Sequence, residues 1–185
     1  MGLLHHIKSF RRSEKGATIV EFAIVFPVML AVFGAVVEGS RIYWNYQAAV
    51  SGVRDATRFL GRVTPEQICT GVNNNFVNVP STYRVIEDGT LISYNTLVLN
   101  TVTSHLGEEG QDGTTLPLGI SVPENEISVQ FACVGAALRG EFTPVIKVDA
   151  EVQIELPFAT LFGFFGVQSD TIVTSVVDQS RVFGL

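Results

Sequence analysis

The sequence predicts an α+β fold, in which a long N-terminal transmembrane and amphipathic helix packs on a C-terminal antiparallel β-sheet. Three observations predict it. An apolar segment lies near the N-terminus, a helical apolar stripe continues beyond it, and late segments alternate apolar and polar residues with a period of two. We divide the chain into a basic leader (1–16), a spine helix (17–62) and a second α+β domain (63–185).

Charge differs between the leader and the rest of the chain. Residues 1–16 carry a net charge of +3, whereas the whole chain carries −6. A basic flank before an apolar segment is typical of the cytoplasmic side of a membrane. The acidic remainder argues against a nucleic-acid partner, which requires a basic surface.

The apolar segment 17–37 is interrupted only by Thr18 and Glu21. As a helix it would be about 30 Å long, close to the hydrocarbon thickness of a bilayer. A cleaved secretory signal peptide is the alternative. However, the segment is longer than the apolar region of a signal peptide, no strong small-x-small site follows it, and the helical pattern continues past Val37. We therefore expect a single-pass anchor with a cytoplasmic N-terminus and an exported C-terminal domain.

Beyond Val37 the helical pattern becomes amphipathic. Charged residues lie largely off the apolar stripe, and small residues beside it would let another element approach closely. One helix from Ala17 to Arg62 is the simplest interpretation, with its first half in lipid and its second half covering the domain. The stripe consists of Ile42, Tyr46, Ala49, Val50, Val53, Thr57 and Leu60.

Glu21 places a carboxylate inside the apolar segment, where insertion of a charge costs about 3 kcal/mol. Such a residue indicates a functional site; the alternative is a helix-end residue whose charge reaches the lipid headgroups. Gly16 lies at the junction of leader and helix, and glycine permits the close backbone approach that a peptidase at the membrane surface needs. Cleavage there would create an amine on Ala17, one helical turn from Glu21. Pairing of that amine with a carboxylate of an adjacent helix would set the register of an assembly.

Pro27 also lies inside the apolar segment. It cannot donate a hydrogen bond to the carbonyl of Ala23, so we expect a helix kink there. Membrane helices commonly tolerate such a kink, and a role in function is therefore not required.

The first part of the second domain gives mixed signals. Thr64, Pro65 and Gln67 match a capping box with proline at the first helical position, which predicts a short helix over 64–74. Within 83–106 two interpretations compete. Asp88-Gly89 is typical of a hairpin turn. A helical stripe over 91–106, ended by glycine, favours a helix there, and we expect the helix.

The later segments predict strands. Residues 127–133 alternate, and 146–156 alternate without error over eleven residues, which is typical of a strand with one buried face. A further strand is expected over 172–182. The acidic, glycine-rich stretch 107–119 lacks the spacing of a calcium loop and is expected to be a solvated loop. The phenylalanine-rich segment 156–167 either folds back over the core or contacts a partner or membrane.

Cys69 and Cys133 are the two cysteines of the chain. A disulfide between them is expected if the domain is exported, and two buried thiols are the alternative. No metal-ligand cluster, nucleotide loop or nucleophile motif is present, so we expect neither a cofactor nor a metal, and no enzymatic activity.

Residues 16–59 together resemble the TadE-like proteins of the Tad/Flp pilus system, in an ordered pattern that is specific over its length. Residues 63–185 resemble that family only loosely. The matching positions are Gly16, Val20, Glu21, Phe22, Ala23, Pro27, Gly34, Glu38, Ala48, Ala49, Arg54 and Arg58.

The resemblance implies a pilin-like pseudopilin, or minor pilin, that takes part in pilus assembly. It implies cleavage after Gly16 by a prepilin peptidase, Ala17 as the mature N-terminus, and Glu21 as the carboxylate needed for processing or assembly. The implied partners are the inner membrane, the peptidase, other pseudopilins or the major Flp pilin, and the Tad secretion platform. The domain would be periplasmic or in the pilus. An unprocessed membrane-tethered binding domain and a type II secretion pseudopilin are the alternatives.

Overall fold

The computed structural model describes residues 14–71, 73–106, 120–135, 142–156 and 171–183. It is α+β, as predicted: a long N-terminal helix is followed by a domain built on an antiparallel sheet. The described residues form two units, one reaching to Arg41 and the other beginning at Ile42. The expected solvated loop 107–119 and residues 157–167 of the apolar segment lie outside the described residues.

Helix α1 spans Glu14–Val63, which extends the expected helix by three residues at its start and one at its end. Helix α2 spans Tyr94–Leu106. The strands are β1 (Asn73–Asn78), β2 (Arg84–Glu87), β3 (Thr90–Ser93), β4 (Ile120–Ser121), β5 (Ile127–Gly135), β6 (Phe142–Glu155) and β7 (Thr171–Arg181). Short 3₁₀ turns cover Glu66–Ile68 and Glu124–Glu126.

Strand β6 is the centre of the main sheet. It pairs antiparallel with β5, β7 and the short β4, and β5 in turn pairs antiparallel with β1. The alternation predicted for 146–156 is confirmed from Ile146 to Glu155, because one face of β6 is almost fully buried and the other is not; Leu156 follows the end of the strand and is only partly buried. The buried side chains are Ile146, Val148, Ala150, Val152 and Ile154, none more than 1% exposed.

The predicted packing of helix on sheet is also confirmed. Four small or branched residues of α1 belong to the same core cluster as the buried face of β6. Helix α2 contributes Leu97, Val98 and Val102 to that cluster. Burial of each valine or leucine side chain in this cluster stabilises the fold by about 1.5–3 kcal/mol. The α1 residues, each 0% exposed, are Ala49, Val53, Ala56 and Leu60.

The predicted helix over 64–74 is wrong. Pro65 is extended, with φ −69° and ψ 142°, and only the 3₁₀ turn Glu66–Ile68 follows it. The next residues enter strand β1, which pairs with β5. Three consecutive asparagines from Asn73 are weak helix formers, and pairing with an existing strand outweighs the local capping signal.

Each of the two interpretations of 83–106 is confirmed in part, because the structure has both a hairpin and a helix there. Strands β2 and β3 form the hairpin, with Asp88 at φ 48° and Gly89 at φ 80°, the left-handed pair that a type I′ turn requires. The helix follows directly but begins at Tyr94, so its expected start at 91 is wrong. The hydroxyl of Ser93 accepts a hydrogen bond from the Thr96 amide at 3.1 Å and caps the helix.

Candidate processing and assembly site

The bond between Gly16 and Ala17 lies in the first turn of α1, which begins at Glu14. The first amides of a helix lack intrahelical acceptors, and its end residues fray. A Cβ atom placed on Gly16 would meet no atom within 4 Å beyond its immediate helical surroundings. The backbone at Gly16 therefore has open space beside it.

Glu21 lies four residues after Ala17, and residues separated by four positions share a helix face. Its side chain is exposed. Among the described residues, Glu21 makes no ion pair within 4 Å. A carboxylate in this position can accept hydrogen bonds from an ammonium group.

The surface around Glu21 is apolar. Every side chain from Ala17 to Leu30 is exposed, and the rings of Phe22 and Phe26 stack with their centroids 5.3 Å apart. Within the described part of the chain, one helix, Gly16–Val63, is long and apolar enough to cross a membrane, and its most apolar window has a mean hydropathy of 2.4 with no residue buried. Such a surface indicates a single-pass membrane anchor.

Pro27 lies inside α1, as expected from the sequence. The kink expected at Pro27 stays a prediction.

Glu38 is a buried acid whose burial the sequence pattern did not reveal. Its side chain is only 6% exposed, and the nearest guanidinium nitrogen of Arg41 lies 3.8 Å from one carboxylate oxygen. Neither oxygen accepts a hydrogen bond from the described residues. Burying a carboxyl group without hydrogen-bond partners is costly. The three-residue spacing between Glu38 and Arg41 predicts that the two side chains can pair, but it does not predict that Glu38 is buried.

The second unit contains one further polar contact between helices. His105 Nε2 lies 3.1 Å from an Asp55 carboxylate oxygen, and both side chains are at least one-third exposed. An exposed pair of this kind contributes at most about 1 kcal/mol. No group of three or more His, Cys, Asp or Glu residues suited to a metal ion occurs among the described residues.

Cys69 and Cys133 form a disulfide, with their Cα atoms 5.7 Å apart. The bond joins the segment after the 3₁₀ turn to strand β5 across 64 positions of sequence. It lies beside the start of β1, where Asn73 pairs with Cys133 in the sheet. The disulfide therefore fixes the end of the chain segment that leaves α1.

The chain was compared with known proteins. No curated protein and no solved structure matches it. The expected resemblance to the TadE-like proteins is confirmed over the segment that contains Gly16, Ala17, Glu21 and Pro27. The TadE-like family implies a part in Tad pilus assembly. Residues 16–58 match the family model described as TadE-like protein.

Proposed function

We propose that the chain is a pseudopilin, or minor pilin, of a Tad-type pilus assembly system, and that a prepilin peptidase cleaves it after Gly16. One observation carries the proposal: the TadE-like segment begins at Gly16, where an accessible backbone meets an exposed apolar helix with Glu21 on its first turns. The proposal gives the chain no catalytic role.

The proposed topology places the leader in the cytoplasm and the domain from residue 63 in the periplasm. The +3 charge of residues 1–16 supports it, because basic residues are retained on the cytoplasmic side. The disulfide between Cys69 and Cys133 supports it independently, because disulfides persist in oxidising compartments such as the periplasm.

In the proposed assembly, Glu21 of one subunit pairs with the Ala17 amine of a neighbouring pilin. An ion pair in a low-dielectric environment is strong enough to select one axial register among several that apolar packing alone would allow. The neighbours are other pseudopilins or the major Flp pilin, and the Tad platform moves them from the inner membrane.

The proposal is tested by measuring the mass of the intact protein from cells with and without prepilin peptidase. We expect a difference equal to the mass of residues 1–16. The variant Gly16→Leu should keep the leader, because its side chain blocks backbone approach. Gly39→Leu is the matched control: Gly39 also lies in α1 with open space around it, and this variant should be processed normally.

Recovery of full-length protein, leader included, from working filaments would contradict the proposal and favour an unprocessed tethered domain. Capture of a type II secretion platform instead of the Tad ATPase and platform would assign the chain to that other system.

A further inference from the structure

Strand β7 is an edge strand of the main sheet. It pairs with β6 along residues 145–155, while β5 and β4 pair with residues 142–150 and 153–154 of the same strand. Because β7 occupies one edge of β6 throughout, β4 and β5 share the other edge. No strand among the described residues pairs with the outer edge of β7.

Residues 172–177 of β7 lack the features that usually prevent strand pairing, and the charged residues of the strand, Asp178 and Arg181, lie toward its end. Residues 172–177 carry no charge, and all but Ser175 are β-branched. The strand contains neither proline nor a bulge, since its register with β6 is unbroken over eleven pairs. Val173 is 54% exposed and Val177 is 46% exposed. An uncharged, partly exposed edge of six residues favours the addition of another strand.

Strand β1 forms the opposite edge of the sheet and is also neutral from Asn73 to Asn78, and its register with β5 shifts once, between Asn73 and Val77. Phe76 and Val77 are 36% and 38% exposed. The order β1-β5-β6-β7 has three antiparallel steps, so β1 and β7 run in opposite directions. Two copies placed side by side in the same orientation would therefore bring β7 of one copy antiparallel to β1 of the next.

Membrane anchoring selects this arrangement over a symmetric one. If two β7 strands paired with each other in an antiparallel sheet, the twofold axis would be perpendicular to the sheet and would reverse the helix that packs on it. Copies inserted in one membrane share one orientation. A head-to-tail contact keeps that orientation and, because it does not close, can be repeated from copy to copy.

We propose that copies of this chain associate head to tail, with β7 of one copy pairing antiparallel with β1 of the next. The contact extends the five-stranded sheet across the subunit boundary. It goes beyond the proposed pilus function and does not rest on processing after Gly16.

Introduced cysteines can test this contact, because the two native cysteines are bonded to each other. Val173, Ser175 and Val177 lie on the outer face of the sheet, opposite Gln153, Glu151 and Asp149 of β6. Asn78 lies on the same face, opposite Gln130. Two differently tagged full-length chains are expressed together, one with Asn78→Cys and the other with Val173→Cys, Ser175→Cys or Val177→Cys. The membranes, from cells without prepilin peptidase, are then oxidised.

We expect a disulfide-linked dimer carrying both tags for at least one of the three β7 positions. Thr90→Cys, exposed in the β2–β3 hairpin, replaces Asn78→Cys as the control and should give no such dimer. Adding Val177→Lys to the Ser175→Cys chain should abolish its cross-link, because a charge then lies on the edge. Intact mass with the native disulfide present shows that each variant is folded.

Three results would overturn the inference. They are a dimer formed by the Ser175→Cys chain alone, a cross-link to a different protein in place of the second copy, and no cross-link between β7 and β1 positions in folded variants. Because the cells lack the peptidase, the outcome is independent of whether the chain is a processed pseudopilin.

Discussion

Gly52 of α1 lies directly against the backbone of Val102 in α2: a methyl group placed on Gly52 would be 2.8 Å from Val102 Cα. Both residues are buried, so neither helix can move away without disturbing the core. We expect Gly52→Ala to lower the free energy of unfolding by about 1–3 kcal/mol through overpacking. Urea unfolding of the full chain in detergent micelles, followed by circular dichroism, measures this loss.

Gly39→Ala is the control for that substitution. Gly39 lies in the same helix, but no atom is within 4 Å of the position its Cβ would occupy. Alanine should be neutral there or stabilise the helix by up to about 1 kcal/mol. Equal unfolding free energies for the two variants would show that α1 and α2 do not approach as closely as described.

The disulfide between Cys69 and Cys133 should be the largest single contribution to stability outside the apolar core. In the chain-entropy account, a cross-link across 64 positions of sequence stabilises by about 4 kcal/mol. The double variant Cys69→Ser/Cys133→Ser and the reduced native protein should lose similar amounts of unfolding free energy, measured by urea unfolding with and without reductant. A native protein whose unfolding midpoint does not respond to reductant would contradict this expectation.

The parts of the fold that could be predicted are those that a periodic pattern determines by itself. The alternation along β6 assigns each side chain to one face, because a strand has only two faces. The stripe from Ala49 to Leu60 was likewise predictable, since its members recur at helical spacing. The prediction was less precise at the margin of the stripe: Tyr46 is 38% exposed, whereas the adjacent Asn45 is 4% exposed.

Long-range contacts decide the features that could not be predicted. The residues from Thr64 onward match a capping box, but the chain after them pairs with β5 and is held there by the disulfide to Cys133. The burial of Glu38 similarly depends on what surrounds it and not on its neighbours in sequence. In the candidate site, Gly16 and Glu21 could be identified from the sequence alone. Gly16 lies where the basic leader meets the apolar segment, and Glu21 is an acid within that segment, so both stand out from their sequence neighbours.

Ionisation of Tyr94 should make the free energy of unfolding depend on pH in the alkaline range. Burial raises the pKa of Tyr94, the hydrogen bond donated by the Thr64 hydroxyl at 3.2 Å lowers it by a smaller amount, and Tyr83 raises it slightly. Above pH of about 10 the unfolded chain loses this proton first, so the unfolding free energy falls as pH rises. Tyr94→Phe should cost about 1 kcal/mol at neutral pH, because the buried Thr64 loses its partner.

The difference in unfolding free energy between the native chain and Tyr94→Phe should therefore decrease at alkaline pH. Phenylalanine does not titrate, so the stability advantage of the native chain should shrink as pH rises above about 10. Tyr43→Phe removes a phenol hydroxyl at an exposed position and is the control for that chemical change. Urea unfolding at several pH values measures the difference; an advantage that is constant with pH would contradict the effect of burial on Tyr94.

Glu21 provides the most direct test of assembly. We expect Glu21→Gln to abolish surface filaments while membrane insertion survives or improves, because removing the charge removes an insertion cost of about 3 kcal/mol. Filaments sheared from cells and the membrane fraction are quantified separately. Glu66→Gln, an exposed carboxylate in the second unit, is the control and should assemble normally. Glutamine keeps the length and polarity of the side chain, so filaments at the native level in Glu21→Gln would show that its charge does not set the register between subunits.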